Sequence, residues 1–240
     1  MTDLRTIEYQ HDGVTLRGEL AVPAEAGPHP GLLVMHDAHG IGSLVRRRAR
    51  ELAAQGYVAF APDMYGGGQR FENAREAGVL LKALCEKPQR LRDRVLAALE
   101  VLNAQPQTDA SRIGALGFCF GGQCVLELAR SGAAVKAVAS FHGLLKTPLL
   151  AEPGVVEAKV LALTGKLDPY APPGDVEAFQ KEMEAAQVDW QLTVYGRGYH
   201  AFSEPEAVNM TSIPGVRYDP LLERLSWSQA IAFIEAAVKG

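Results

Sequence analysis

The 240-residue sequence predicts an α/β fold: a mostly parallel central sheet, an antiparallel hairpin at the N-terminal end, and helices on both faces. Three observations carry that prediction. From residue 31 onward short apolar runs alternate with longer amphipathic ones, the pattern of strands and helices taken in turn. The short runs, such as residues 31–35 and 113–116, are apolar almost throughout, as strands covered on both faces require. One of them ends in a glycine-flanked turn, Gly117-Phe118-Cys119-Phe120-Gly121-Gly122, that passes directly into a helical run over residues 123–129.

The elements follow in order. Residues 4–22 alternate apolar and polar side chains around His11-Asp12-Gly13, which predicts the hairpin. Residues 31–35 form a central strand. Residues 43–55 form a helix whose Arg46, Arg47, Arg48 and Arg50 make a solvated face opposite Leu44, Val45 and Leu52. Residues 57–61 are a strand, followed by a Gly-rich loop over 62–70. That loop lacks the G-K-[ST] ending of a phosphate-binding loop and does not open a helix, so it reads as a flexible rim. One or two helices span 72–103, broken near Pro88. The strand over 135–141 comes next, then strands over 159–164 and 190–195 and helices over 175–187 and 222–238. No repeat, low-complexity tract or linker interrupts this pattern, so residues 1–240 are expected to form a single domain.

Composition narrows the function. The chain is 48% apolar, enough for a substantial core, and its formal net charge is −4. That gives no basic footprint for nucleic acid and no polybasic membrane patch. No apolar run approaches the ~20 residues that span a bilayer. The opening Met1-Thr2-Asp3-Leu4-Arg5 has no apolar signal core, so a cytoplasmic location is expected. The expected partners are a small-molecule substrate and at most a second copy of the chain, as a monomer or weak homodimer. The three cysteines are odd in number and contain no C-x-x-C pair, which argues against a disulfide framework. Cys85 and Cys124 read as structural.

Cys119 reads differently. Its surroundings match the nucleophile elbow G-x-S-x-G with cysteine in place of serine. The glycines let the backbone turn sharply beside the adjoining strand and helix, and the helix N-terminus favours negative charge at the turn. The elbow also predicts that an acid and then a histidine follow, each after a later strand. Asp168 follows the strand over 159–164, and His200 follows the strand over 190–195. All three residues fall just past C-terminal strand ends, the edge where open α/β sheets bind ligands. His36 and His39 flank Asp37 after the first central strand; they read as packing or hydrogen-bonding residues rather than metal ligands. His142 receives no role, and neither a metal nor a cofactor is called for.

With these residues in place, the sequence resembles the dienelactone hydrolase family of α/β-hydrolases over nearly its whole length. The matching segments are residues 33–42 (Leu-Val-Met-His-Asp-Ala-His-Gly-Ile-Gly), residues 55–65, the cysteine elbow, Gly165-x-x-Asp168 and Gly198-Tyr199-His200-Ala201-Phe202. The resemblance implies an α/β-hydrolase fold and a carboxylic ester hydrolase acting on small esters or lactones. Cys119 is then the nucleophile, His200 the general base and acid, and Asp168 the residue that orients the imidazole. The backbone N–H groups of Phe120 and Ala38 form the oxyanion hole. Asp37 matches the family's thiol-modulating glutamate, one methylene shorter, and its other reading is a loop cap or salt-bridge partner. Glu204 stands where dienelactone-specific members place a substrate-gripping arginine, so a preference for uncharged substrates is expected. Arg75, Arg197, Phe202 and Glu204 are the candidate substrate contacts, with Arg70 beside them. A non-catalytic or redox-sensing role for Cys119 is the alternative reading.

Overall fold

The structure, a computed structural model, describes residues 3–210 and 213–240. Met1 and Thr2, part of the stretch read as lacking a signal core, lie outside the described residues. The hairpin forms as expected: β1 (Leu4–His11) and β2 (Val14–Ala21) pair antiparallel in register. Asp12 (φ 51°) and Gly13 (φ 70°) both turn through the left-handed region, the twist that suits a two-residue hairpin and that Asp-Gly tolerates best.

The chain continues through β3 (His29–Met35), α1 (Ser43–Ala54), β4 (Val58–Ala61), α2 (Ala74–Cys85), α3 (Pro88–Asn103), β5 (Thr108–Phe118) and α4 (Phe120–Arg130). Then come β6 (Ala137–Phe141), β7 (Lys159–Gly165), α5 (Pro173–Ala185), β8 (Trp190–Tyr195), a short 3-10 turn (Pro205–Asn209) and α6 (Pro220–Val238). All eight strands share one sheet, in the order β1-β2-β4-β3-β5-β6-β7-β8. β2 meets β4 antiparallel, and every pairing from β4 to β8 is parallel. β4 lies on one side of β3 and β5 on the other, so the winding reverses between β3 and β5. The crevice beyond their C-terminal ends is the switch point where such sheets bind ligands.

Strand periodicity divides the core. Leu33, Met35, Ala115, Val138, Val160 and Ala162 point to the face covered by α3, α4 and α5. Leu32, Val34, Leu116, Ala139, Leu161 and Leu163 point to the face covered by α1 and α6. Neither face of the central strands meets water, which is why they read as unbroken apolar runs. β5 extends further back than the sequence suggests, because Thr108 pairs with His29 across a register shift at Pro30/Gly31. Among the described residues, no helix is long and apolar enough to cross a membrane.

Two expectations need correction. Arg48 is buried, not solvated: its guanidinium bonds Glu51 at 2.8 Å and Glu223 at 2.6 Å and lies 4.0 Å from the Trp227 ring centroid. Glu223 and Trp227 of α6 reach across to this face and take the guanidinium out of solvent. The loop over residues 62–70 is no flexible rim either. The Asp63 carboxylate accepts the backbone N–H groups of Tyr65, Gly66 and Gly68 on one side and of Arg17 on the other, which fastens the loop to β2.

Candidate active site

β5 ends at Phe118 and α4 starts at Phe120, so Cys119 alone makes the turn, with φ 53° and ψ −113°. A non-glycine residue held in such a conformation costs about 1–3 kcal/mol and needs surroundings that over-determine it. The glycines and hydrogen bonds supply them. A Cβ on Gly117 would collide with the Gly121 carbonyl, and one on Gly121 with the backbone of Met35 on β3. The Cys119 N–H is shared between the Phe141 carbonyl at 2.9 Å and His142 Nδ1 at 3.2 Å. The thiol, part-buried and outside any disulfide, stands at the C-terminal edge of the sheet.

The loops after β7 and β8 bring the other two residues to it. They are knit together by the N–H groups of Lys166 and Leu167, which donate to Tyr195 and Gly198 at 2.9 Å. Asp168 is buried; its Oδ1 accepts the Tyr170 N–H at 2.8 Å, and its Oδ2 lies 2.9 Å from His200 Nδ1. His200 is strapped in from the far side, its N–H donating to Gly215 at 2.9 Å and its carbonyl accepting from Arg217 at 3.0 Å. Its Nε2 lies 3.1 Å from Cys119 Sγ. Burial disfavours charge on this imidazole, but the Cys119 sulfur and the Asp168 carboxylate outweigh it and hold the pKa well above the usual histidine value. The imidazolium is therefore favoured beside the sulfur.

The loop after β3 closes the near side. His36 Nε2 accepts the Met64 N–H at 3.2 Å, so its Nδ1–H donates to the Asp37 carbonyl at 2.6 Å. Both ring nitrogens serve the loop. Tyr65 Oη donates to the Ala38 carbonyl at 2.9 Å, and the Tyr65 ring stacks on Phe120 at 5.7 Å. Asp37 Oδ1 accepts the His39 N–H at 2.6 Å and lies 3.5 Å from His39 Nδ1. Burial pushes the Asp37 carboxyl up, yet the His39 contacts prevail and leave it below the ordinary range. That is the geometry of the loop-cap reading.

These elements enclose a cavity of about 330 Å³ walled by Asp37, Ala38, Cys119, Leu144, Tyr170 and His200, by Ala77 and Leu81 of α2, and by Glu204, Met210, Ile213 and Val216. Among the described residues, no lysine or arginine is in its lining. The arginine candidates are thereby corrected. Arg75 is exposed on α2, Arg197 lines a separate surface depression with Leu167, Tyr199, Arg217 and Asp219, and Arg70 pairs with Glu72 at 3.2 Å. Phe202 is fully buried against His142 and Tyr195, ring centroids 5.0 and 5.2 Å away, so it supports the site from below. Glu204 does line the cavity, but not as the anion expected to repel a carboxylate. Burial, then the charges of Asp37 and Cys119, raise its pKa well above the usual value, which favours the neutral acid.

Sequence reasoning passed over His142, which ends β6 beside the elbow strand; its place at that strand end was the available signal. Its Nδ1 accepts from Cys119, so its Nε2–H donates to Ser203 Oγ at 2.8 Å. Burial, reinforced by His200, holds it neutral well below the usual histidine value. One ring thus ties the elbow to the loop that carries His200. His142→Phe keeps an aromatic ring, somewhat larger, at this buried position and removes both bonds. The expected loss of stability is about 1–3 kcal/mol in urea denaturation; a loss under about 0.5 kcal/mol would show that these bonds carry no load.

The sheet order, with a strained turn of this kind between β5 and α4, defines an α/β-hydrolase fold. The model of the "Dienelactone hydrolase family" matches residues 16–238, so the chain belongs to that family and is a hydrolase of ester or lactone bonds. A relative from Aquifex aeolicus named "Putative carboxymethylenebutenolidase" is 29% identical over 97% of this chain and 98% of its own. A relative of the same name from Synechocystis is 31% identical, covering 84% and 86% of the two chains. Among solved structures, a dienelactone hydrolase-like promiscuous phosphotriesterase from metagenomic libraries superposes with TM-score 0.91. It is 34% identical and matches 98% of both chains.

Proposed function

We propose that the chain hydrolyses small, uncharged esters or lactones by acyl transfer through Cys119, acting as one domain. The observation that carries this is the unbroken chain of contacts at the cavity wall, Cys119 Sγ to His200 Nε2 at 3.1 Å and His200 Nδ1 to Asp168 Oδ2 at 2.9 Å. His200 holds the thiol proton, and the thiolate attacks the substrate carbonyl. The Phe120 and Ala38 N–H groups receive the oxyanion; such a donor is typically worth roughly 10²–10³ in rate. His200 returns the proton to the departing alkoxide, leaving a thioester on Cys119. It then takes a proton from water, hydroxide adds to the thioester, and the acid leaves with the thiol regenerated. Asp168 holds the imidazole in the orientation that serves both steps. Asp37 caps its loop through His39 at the cavity wall.

Activated esters and lactones suit this chemistry better than amides, because a thiolate is expelled from the tetrahedral intermediate more readily than an amine. The mostly apolar lining favours uncharged substrates: among the described residues it offers no lysine or arginine, and its His200 is committed to Asp168 and Cys119, so an anion would enter without a free partner. The same lining suits phosphotriesters, which carry no charge; the metagenomic relative is named a phosphotriesterase. Rapid quenching with p-nitrophenyl acetate followed by peptide mass analysis tests the mechanism. One acetyl group is expected on the Cys119 peptide and none on those of Cys85 or Cys124. Steady turnover with Cys119 never acetylated would overturn it.

A further inference from the structure

Glu204 is a buried carboxyl facing the cavity without a partner that explains it. It is 3% exposed and lines the same cavity as Cys119 and His200. Among the described residues, its Oε1 has no hydrogen-bond partner. His142 Nε2 lies 3.8 Å away, beyond hydrogen-bond reach, and gives its proton to Ser203. The groups that face Glu204 are Asp37 on the loop after β3, Cys119 on the elbow, His142 after β6, and His200 and Glu206 on its own segment. Glu206 is taken up by Ser43 Oγ. Of these, only His200 brings positive charge, and it is committed to Asp168 and Cys119.

A buried carboxyl without a cation is least costly as COOH, and a COOH has one hydrogen to donate. Buried donors and acceptors normally find partners; Oε1 is closed off, so the carboxyl edge that lines the cavity, at Oε2, is the open direction for the hydrogen. An anionic acceptor would lie near the Asp37 carboxylate with no lysine or arginine to offset it. A neutral oxygen carries no such penalty.

Resting on the acyl-transfer reading above, we infer that Glu204 is a specificity-determining residue that donates a hydrogen bond to a neutral acceptor oxygen in the substrate. The oxygen is an ether, alkoxy or second carbonyl oxygen close to the scissile ester or lactone group. The inference replaces charge repulsion with recognition: the position selects for an acceptor instead of merely rejecting an anion. Its pH dependence has a definite sign. Glu204 donates below its own raised pKa; above it the group is an anion, the donor is gone, and acceptor-bearing substrates bind more weakly.

A matched pair of esters tests this, p-nitrophenyl methoxyacetate and p-nitrophenyl butyrate, which differ by an ether oxygen in place of a methylene. The readout is the ratio of their kcat/KM values, normalised to their hydroxide-catalysed hydrolysis. Glu204→Leu is expected to reduce that ratio by about tenfold, mainly through KM of the ether ester, as loss of one buried hydrogen bond implies. Glu204→Gln keeps an N–H donor and is expected to stay within about threefold of the wild-type ratio. In the wild-type enzyme, KM for the ether ester is expected to rise toward alkaline pH relative to the butyrate, and in Glu204→Gln to show no such rise. Overturning results would be an unchanged ratio in Glu204→Leu, a loss in Glu204→Gln as large as in Glu204→Leu, or a wild-type ratio flat with pH. The wild-type pH series stands even if a variant does not fold. Acetylation of Cys119 is read separately: its absence would indict the acyl-transfer reading, whereas an acetylated Cys119 with no discrimination indicts Glu204 alone.

Discussion

Cys119→Ala and His200→Ala are each expected to lower kcat on p-nitrophenyl acetate by on the order of 10⁴–10⁶, and the double variant by little more than either alone. Groups that act as one unit lose nearly everything when one member goes, and these two share a single contact at 3.1 Å. Asp168→Asn is expected to cost about 10⁴, because it disturbs the orientation and protonation of the imidazole. The pH profile carries a further sign. The Cys119 sulfur and Asp168 hold His200 raised against the opposing effect of burial, so the imidazolium outlasts the ordinary histidine range. The stabilisation from that charge is fully present below about pH 6.5, the unfolded value, and is lost as pH climbs through the folded one. Asp168→Asn removes part of the support, so the alkaline fall in activity should move to lower pH. Initial rates over the full pH range provide the check. Wild-type-like turnover in Cys119→Ala or His200→Ala would sink the triad.

Arg130→Ala is expected to destabilise the protein by about 3–5 kcal/mol, a drop in Tm of about 10 °C for a chain of this size. The Arg130 side chain is almost completely buried on α4. It bonds Glu127 at 3.0 Å, both oxygens of Glu182 on α5 at 2.8 Å, and the Leu145 carbonyl at 2.8 Å. Arg92 of α3 joins the same cluster through Glu127 at 2.8 Å and the Leu149 carbonyl at 2.9 Å. Removing Arg130 strands the buried Glu182 carboxylate and leaves Glu127 with one partner. Swapping such a cluster for well-packed apolar side chains can be neutral, but deleting one member leaves uncompensated charge. The exposed pair Lys181–Glu177 at 2.6 Å is the comparison; breaking it should cost at most about 1 kcal/mol. A thermal melt of Arg130→Ala within 2–3 °C of wild type would contradict the argument. The cluster also reaches the site, since it holds the segment after β6 whose Leu144 lines the cavity.

Several features were readable in the chain because each rests on local backbone chemistry. The central strands announce themselves as unbroken apolar runs because both sheet faces are covered. Asp12-Gly13 predicts its hairpin because only such residues take two left-handed conformations in succession. Cys119 between glycines predicts a strained turn because larger neighbours would collide with β3 and α4. Asp168 and His200 stand out because strand ends in a parallel sheet converge on one edge. What those residues touch was not readable in the same way. Arg48 and Arg130 sit on helices at spacings that a solvated face would also show, and only packing against α6 and α5 made them interior. Arg75 and Arg197 are near the site in sequence and outside its cavity in space. His142 ends an ordinary strand, and its two hydrogen bonds reach elements 23 and 61 residues away.

The sequence alone therefore determined the fold class and singled out the three residues on which the proposed acyl transfer rests, because strand order, glycine sterics and chain order are properties of the linear chain. Only the tertiary structure decided the burial of Glu204 and the character of the cavity. Those depend on burial and on which groups arrive from distant segments: a carboxyl that would be free in water is here closed in beside Asp37 and Cys119, which raises its pKa.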